Sequence, residues 1–121
     1  MRFISPQPPK FTKMDKISFE DFQKIELKIG KILTCVPVEN SEKLLKLEVD
    51  FGEEKRQIIS GIAQFYKPED LTGKEFVFAT NLEPRKIMGL ESQGMILAAD
   101  AEGKAVCLSP NQEVAPGTKI R

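Results

Sequence analysis

Residues 81–95 read Asn-Leu-Glu-Pro-Arg-Lys-Ile-Met-Gly-Leu-Glu-Ser-Gln-Gly-Met and connect two apolar runs, at 75–80 and 95–99. Such runs are typical of strands, so this stretch is predicted to be a connection, and it is longer than a plain turn requires. Its amides, hydroxyl and adjacent cations supply hydrogen-bond donors for phosphates and base edges. The same composition also suits a polar loop that proline and glycine shape into a turn, so chemistry alone leaves both interpretations open.

Three strands are predicted before this stretch. The first runs from Ile25 to Cys35 with a bulge or bend at Gly30, and Pro37 ends it. Residues 45–51 alternate apolar and polar side chains, which is the clearest pattern of a half-buried strand in the chain. A hairpin turn at 52–54 then leads into an antiparallel third strand at 56–60.

Two short helices are predicted from capping patterns. Residues 18–21 read Ser-Phe-Glu-Asp, a capping box that begins a helix ending near Lys24. Ile17 and Phe22 have the spacing of a hydrophobic staple, which predicts that this helix is fixed to the core. A second helix begins at Pro68, and Gly73 caps its end.

Three strands, a helix and two more strands, at 75–80 and 95–100, follow the order of the OB-fold. The predicted fold class is therefore all-β, a five-stranded OB-fold Greek-key barrel with short helices. Residues 105–108 and 118–120 add a predicted C-terminal β extension.

The domain organisation is predicted to be an arm followed by one domain. Residues 1–15 hold closely spaced prolines, which prevent helix and ladder bonding, so they predict an extended N-terminal arm or linker. Its apolar side chains either dock on the body or on a second copy, or belong to a disordered tail. The length of the remaining chain, residues 16–121, predicts one compact domain. No apolar run is long enough for a membrane span and no signal peptide begins the chain, so we expect a cytoplasmic protein without a membrane partner.

Charge and cysteine content exclude several functions. The chain carries 18 Lys and Arg against 18 Asp and Glu, so no global field attracts a polyanion, although a local basic patch remains compatible with this balance. It has no His, and Cys35 and Cys107 lie far apart, so no metal or other cofactor is expected. Both cysteines fit small buried hydrophobic residues better than a disulfide. No spacing pairs a nucleophile with a base, which predicts no enzymatic activity.

Residues 81–95, hereafter the signature segment, resemble the signature of the tRNA-binding domain family: Asn-Leu-x-Pro-Arg-Lys-x-x-Gly-x-x-Ser-Gln-Gly-Met, followed here by Ile-Leu-Ala-Ala. Residues 27–32, 41–44 and 59–62 are similar too, so the resemblance extends over about 19–121. The family includes the C-terminal domain of methionyl-tRNA synthetase, free-standing structure-specific tRNA-binding proteins and the C-terminal portion of the endothelial monocyte-activating polypeptide. The resemblance implies an OB-fold, tRNA binding and a C-terminal extension associated with dimer formation.

The resemblance also implies six tRNA-contacting residues: Lys43, Asn81, Arg85, Lys86, Ser92 and Met95. The loop after the first strand ends at Lys43, and it is expected to meet the signature segment at one rim of the barrel. The guanidinium of Arg85 suits a bidentate phosphate contact or stacking on a splayed base. Each of these residues has an ordinary alternative. The lysines could be surface cations, Asn81 could shape the turn through its own backbone, and Met95 could lie in the core.

The main prediction is a noncatalytic module that recognises tRNA shape and assists aminoacylation, either free-standing or as part of methionyl-tRNA synthetase. Its expected partners are tRNA, the synthetase and a second copy of the chain. The alternative is a dimeric export-related chaperone with the same barrel that binds peptides. That relative resembles this chain around Pro84 to Gly89 but lacks the Ser-Gln-Gly-Met continuation at 92–95. A third interpretation, a single-strand-binding protein, requires exposed aromatic platforms. Phe51, Phe76 and Phe78 fall on apolar faces, which leaves Tyr66 as the candidate.

Overall fold

Antiparallel strands wrap around an apolar core in the computed structural model, which describes residues 15–121. The strands are β1 (Leu27–Pro37), β2 (Leu45–Asp50), β3 (Lys55–Ser60), β4 (Glu75–Ala79), β5 (Arg85–Ile87), β6 (Leu90–Ser92), β7 (Met95–Ile96), β8 (Ala98–Ala101), β9 (Lys104–Cys107) and β10 (Lys119–Ile120). The helices are α1 (Phe19–Gln23) and α2 (Pro68–Leu71). The main sheet has the order β3-β2-β1-β4-β7, with β10 beside β1. This nearly closed barrel confirms the predicted fold class. The predicted N-terminal arm, except for Asp15, lies outside the described residues.

Alternating side chains of β2 enter the barrel, as the sequence pattern predicts. Leu45, Leu47 and Val49 are at most 1% exposed, because every second residue of a strand faces the same side. Phe51 and Phe78 meet in the core edge to face, with ring centroids 5.4 Å apart. Edge-to-face contact is a preferred arrangement of buried aromatic rings, and this pair joins the residue that follows β2 to β4 within the core.

Strand β1 changes its partners along its length. It pairs with β4 over residues 27–31 and with β2 over residues 31–37, and the register shifts between Ile32 and Thr34. The predicted bulge at Gly30 is therefore wrong, since Gly30 pairs in register with Phe76. A Cβ at Gly30 would lie 2.5 Å from Cγ1 of Val49, so glycine is required here for close packing inside the barrel.

Both predicted helices form, but α1 is not fixed to the core. Ser18 caps it as predicted, because its Oγ accepts a hydrogen bond from the Asp21 amide at 3.0 Å. No residue of α1 is buried, and Ile17, Phe19 and Phe22 are 64%, 70% and 39% exposed. The prediction that this helix is fixed to the core is therefore wrong, because the aromatic side chains of α1 line an open groove with Ile120 instead of entering the barrel.

The predicted fifth strand is divided between two sheets. β7 pairs with β4, but β8 pairs with β9 in a separate two-stranded sheet. All four residues of β8, including Ala98 and Ala99, are exposed, so this part of the chain does not contribute to the core. β10 then returns to β1 and pairs Ile120 with Leu27, which confirms the predicted additional strand.

Candidate nucleic-acid interface

The signature segment contains a hairpin of its own. β5 and β6 form a separate two-stranded sheet in which Arg85 lies opposite Ser92 and Lys86 lies opposite Glu91. The turn residues Met88 and Gly89 both have positive φ, 51° and 81°, as a two-residue type I′ turn requires. The sequence predicted only a connection here, because two short strands with charged side chains carry no apolar alternation.

Asn81 attaches the start of the segment to the barrel. Its Oδ1 accepts a hydrogen bond from the Glu26 amide at 2.8 Å, and its Nδ2 donates to the Lys24 carbonyl at 2.6 Å. Both ends of the side-chain amide are thus bound to the segment that joins α1 and β1. Asn81 is exposed, but these bonds give it a positioning role, and a base contact stays a prediction.

Thr80, just before Asn81, is buried and reinforces the same attachment. Its hydroxyl donates to the Glu26 carboxylate at 2.7 Å, and its amide donates to the Glu26 carbonyl at 2.9 Å. The hydrogen bond from Thr80, assisted by the charges of Lys28 and Lys119, lowers the pKa of the Glu26 carboxyl below its ordinary value. The start of the signature segment is therefore tied to Glu26 through backbone and side chain.

The side chains of Ser92 and Gln93 attach the end of the hairpin to β3 by hydrogen bonds. Oγ of Ser92 accepts from the Ile59 amide at 2.9 Å and donates to the Gly94 carbonyl at 3.1 Å. Oε1 of Gln93 accepts from the Gln57 amide at 3.1 Å. Side-chain oxygens thus replace backbone carbonyls as partners of β3. Because Ser92 is 2% exposed, its hydroxyl does not face solvent, which corrects the expectation that it contacts RNA directly.

Arg56 on β3 holds both ends of the signature segment, and the sequence analysis missed it. Its Nη1 donates to the carbonyl oxygens of Thr80 and Gln93. Its Nε and Nη2 bind the Glu54 carboxylate at 3.0 and 3.1 Å. A charged residue beside a hairpin turn is ordinary, so the sequence carried no signal for this contact.

Three of the predicted contact residues reach solvent at the hairpin and beside it. Arg85 and Lys86 are exposed on β5, and Met95 is 42% exposed at the start of β7. The alternative that Met95 lies in the core is therefore wrong. Adjacent strand residues point to opposite faces, so Arg85 and Lys86 place one cation on each face of the hairpin.

The hairpin tip meets the end of β1 at a shared rim, whereas Lys43 lies elsewhere on the same loop. Met88 and Leu90 line a groove of about 460 Å³ together with residues 36–40 and Lys46. Lys43 is exposed, and its carbonyl accepts from the Ala63 amide at 3.0 Å. The two loops therefore approach each other as expected, but Lys46 is the lysine at their junction.

Tyr66 is not an exposed stacking platform. It is half-buried, and its hydroxyl accepts a hydrogen bond from the Cys107 amide at 3.0 Å. Phe51, Phe76 and Phe78 are buried as predicted. The aromatic residues named for single-strand binding are thus occupied in packing.

Cys35 and Cys107 are both buried with free thiols, as predicted. Burial raises the pKa of each thiol above its ordinary value. Over residues 15–121, no group of three or more His, Cys, Asp or Glu side chains is placed to hold a metal ion. Within that range, every helix is too short or too polar to cross a bilayer.

Comparison with known proteins identifies relatives over most of the chain. The family model described as "Putative tRNA binding domain" matches residues 27–119, which include the whole signature segment. Methionine–tRNA ligase of Archaeoglobus fulgidus is 53% identical over 111 residues, 92% of this chain and 17% of the ligase. The ligase of Methanoregula boonei is 57% identical over 113 residues, 93% of this chain and again 17% of the ligase. The chain thus spans less than a fifth of the length of these curated relatives.

Two solved structures share the fold over nearly their whole length. A MetRS related protein from Pyrococcus horikoshii superposes with a TM-score of 0.86 at 38% identity, covering 89% of this chain and 100% of that chain. The chaperone CsaA from Bacillus anthracis superposes with a TM-score of 0.79 at 34% identity, covering 88% and 99%. The barrel is therefore shared by relatives with two different descriptions.

Proposed function

Since this chain belongs to the tRNA-binding domain family, we propose that it is a noncatalytic module that recognises the shape of folded tRNA. The observation that carries the proposal is the signature segment itself, which the barrel holds at both ends as an exposed hairpin. The 18 cations and 18 anions balance, so binding relies on a few placed contacts instead of bulk attraction. Folded RNA is commonly recognised in this way, through its backbone and unstacked nucleotides.

The proposed contacts divide into residues that touch RNA and residues that place them. Arg85 binds a phosphate bidentately or stacks on a splayed base, and Lys86 and Lys43 contribute point charges to the backbone. Met95 offers a polarizable apolar surface to a base. Asn81 and Ser92 act through the hydrogen bonds that hold the hairpin.

The module raises the local concentration of tRNA for methionyl-tRNA synthetase, either within the same chain or as a separate subunit. The ligases of Archaeoglobus fulgidus and Methanoregula boonei contain a matching segment, which supports this partner. Linkage of a weak binding module to a catalytic body increases apparent affinity without new contacts at the catalytic site. The free buried thiols suit the reducing cytoplasm, where aminoacylation takes place.

A titration of tRNA against unstructured RNA of equal length tests shape recognition. Tighter binding of the folded tRNA supports the proposal, and equal affinity for both RNAs rejects it. The Arg85→Ala variant should bind tRNA about tenfold more weakly, since one charge-assisted bidentate contact is lost. Lys104→Ala, which removes an exposed cation from β9, is the matched control and should bind as the parent does.

We further propose that the chain forms a homodimer through α1 and the C-terminal strands. The aromatic side chains of α1 and Ile120 line an open groove of about 570 Å³, and Val106 and Leu108 are 40% and 43% exposed. A contiguous apolar surface such as the groove of Phe19, Phe22 and Ile120 is typical of an interaction site. Light scattering should give a dimer for the parent and a monomer for Phe19→Ser with Phe22→Ser, and a monomeric parent would reject the proposal.

The similarity to the CsaA chaperone, 34% identical, favours peptide binding as a second candidate function. The two functions separate in one pair of assays. Suppression of the aggregation of an unfolded client, without retention of tRNA, would select the chaperone function. Retention of tRNA without protection of the client would select the tRNA-binding function.

A further inference from the structure

The direction in which the signature hairpin points is set by its two ends. β5 and β6 pair with each other in a separate sheet, so β5 adds no ladder to the barrel. The entering end is fixed at Thr80 and Asn81, and the leaving end is fixed at Ser92 and Gln93. A group that holds both ends at once is therefore placed to influence the orientation of the chain between them.

Arg56 holds both ends with a single nitrogen. Its Nη1 donates to the carbonyl of Thr80 and, at 3.2 Å, to the carbonyl of Gln93. Thr80 is 4% exposed and the Arg56 side chain is 21% exposed, so these bonds lie largely out of water. Charge-assisted hydrogen bonds are stronger than neutral ones, and partial burial reduces competition from solvent.

Two of the three remaining N–H groups of the guanidinium are also occupied. Nε and Nη2 bind the Glu54 carboxylate at 3.0 and 3.1 Å. The guanidinium carbon lies 5.8 Å from the centroid of the Phe51 ring, a distance compatible with a cation–π contact. With its donors bound on two sides and one face on a core aromatic ring, Arg56 has a fixed orientation and little capacity left for a phosphate.

We propose that Arg56 is a positioning residue for RNA binding, which sets the orientation of the signature hairpin by joining the Thr80 and Gln93 carbonyls and does not contact RNA itself. Glu54 supports it by holding the guanidinium in place. This inference rests on the proposed function, because it concerns how the hairpin is presented to tRNA. It predicts that Arg56 affects affinity without contributing to the count of phosphate contacts.

The hydrogen bonds of Arg56 to the Thr80 and Gln93 carbonyls, here called the clamp, are tested first without RNA. The Arg56→Met variant keeps an unbranched stem near Phe51 and removes all hydrogen bonds of the guanidinium, and Lys55→Met removes one exposed cation from the same strand as the control. Amide hydrogen exchange over residues 85–92 should become faster in Arg56→Met and stay unchanged in Lys55→Met. Unchanged exchange of the hairpin in Arg56→Met would overturn the clamp, whether or not the parent binds tRNA.

The salt dependence of tRNA binding then separates positioning from contact. Arg56→Met should weaken tRNA binding on the order of tenfold with the slope of log K against log salt unchanged, since no released phosphate counterion is lost. A slope reduced by about one contact would show that Arg56 binds a phosphate and would overturn the inference. Failure of the parent to bind tRNA would instead reject the proposed function and leave the exchange result standing.

Two further variants keep the test decisive if Arg56→Met folds poorly. Arg56→Lys should restore part of the affinity, because one ammonium can reach a carbonyl but cannot reproduce the guanidinium contacts to Glu54. Glu54→Gln removes a negative charge beside Arg56. If Arg56 only positions the hairpin, any gain in tRNA affinity from Glu54→Gln persists when Arg56→Met is added. A gain that disappears in this double variant would mean that a released Arg56 contacts RNA and would refute the proposal.

Discussion

Replacing Ser92 with alanine should destabilise the fold far more than it alters any surface contact. Its hydroxyl accepts from the Ile59 amide at 2.9 Å and donates to the Gly94 carbonyl at 3.1 Å, at a position 2% exposed. Alanine leaves the buried Ile59 amide without its partner, which costs about 1–3 kcal/mol of unfolding free energy. We therefore expect a loss of about 2 kcal/mol, or roughly 10 °C in melting temperature for a domain of this size.

Urea denaturation of the parent, Ser92→Ala and Ser109→Ala measures this loss. Ser109 is exposed, so its alanine variant should stay within about 0.5 kcal/mol of the parent. Because Ser92 holds the leaving end of the hairpin and its hydroxyl does not face solvent, any loss of tRNA affinity in Ser92→Ala should accompany the loss of stability. The reasoning is refuted if Ser92→Ala is as stable as Ser109→Ala, and more so if it loses tRNA binding at unchanged stability, because the hydroxyl would then act as a contact.

Three further predictions concern Gly30, Glu26 and the signature cations. Gly30→Ala should lower the unfolding free energy by about 1–3 kcal/mol through overpacking, since its Cβ would lie 2.5 Å from Val49 Cγ1. Gly61→Ala serves as the control in the same denaturation assay, because the nearest atoms to its Cβ would lie 4.0 Å away. The pKa of Glu26 is lowered in the folded state. Its contribution to the free energy of unfolding is therefore complete above the pKa of Glu26 in the unfolded chain, and it is lost as the pH falls through the lower folded value. Glu26→Gln should make the free energy of unfolding fall less steeply at acidic pH, and a fall as steep as that of the parent would contradict this. Arg85→Lys should weaken tRNA binding severalfold while Lys86→Arg does not, because a planar fork cannot be replaced by a point charge, and filter binding showing equal affinity for both variants would remove the special role of Arg85.

The barrel could be predicted because its strands carry their own pattern. The apolar alternation of β2 and the paired strand after the Gly52 turn depend on neighbours close in sequence, and both are found. The predicted attachment of α1 to the core failed for the opposite reason. The spacing of Ile17 and Phe22 describes how a helix begins, and only the tertiary structure decides whether its apolar side chains have a core to enter. The division of the predicted fifth strand is also a matter of tertiary structure, because β8 pairs with β9 in a separate sheet.

The structure gives Asn81 and Ser92 internal hydrogen bonds that the sequence did not predict, and RNA contacts of the other site residues stay predictions. Residues far apart in sequence, such as Asn81 with Lys24 and Ser92 with Ile59, meet only in the folded barrel. Their hydrogen-bonding chemistry suits an RNA contact as well as it suits an internal one, so the sequence alone could not separate these roles. Arg56 shows the converse, because nothing local distinguishes it from an ordinary surface cation.

The hydrogen bonds of Ser92 and Gln93 to β3 define which residues of the signature segment can be replaced without disturbing the barrel. An exchange of residues 82–90 replaces most of the hairpin and leaves the hydrogen bonds of Asn81, Ser92 and Gln93 to Glu26 and β3 in place. An exchange that includes residue 92 or 93 removes a hydrogen-bond partner of the barrel together with the loop. Transplanted hairpins should therefore start after Asn81 and stop before Glu91, whose carbonyl accepts from Gln57 at 2.8 Å, if a new recognition element is to be carried by an intact scaffold.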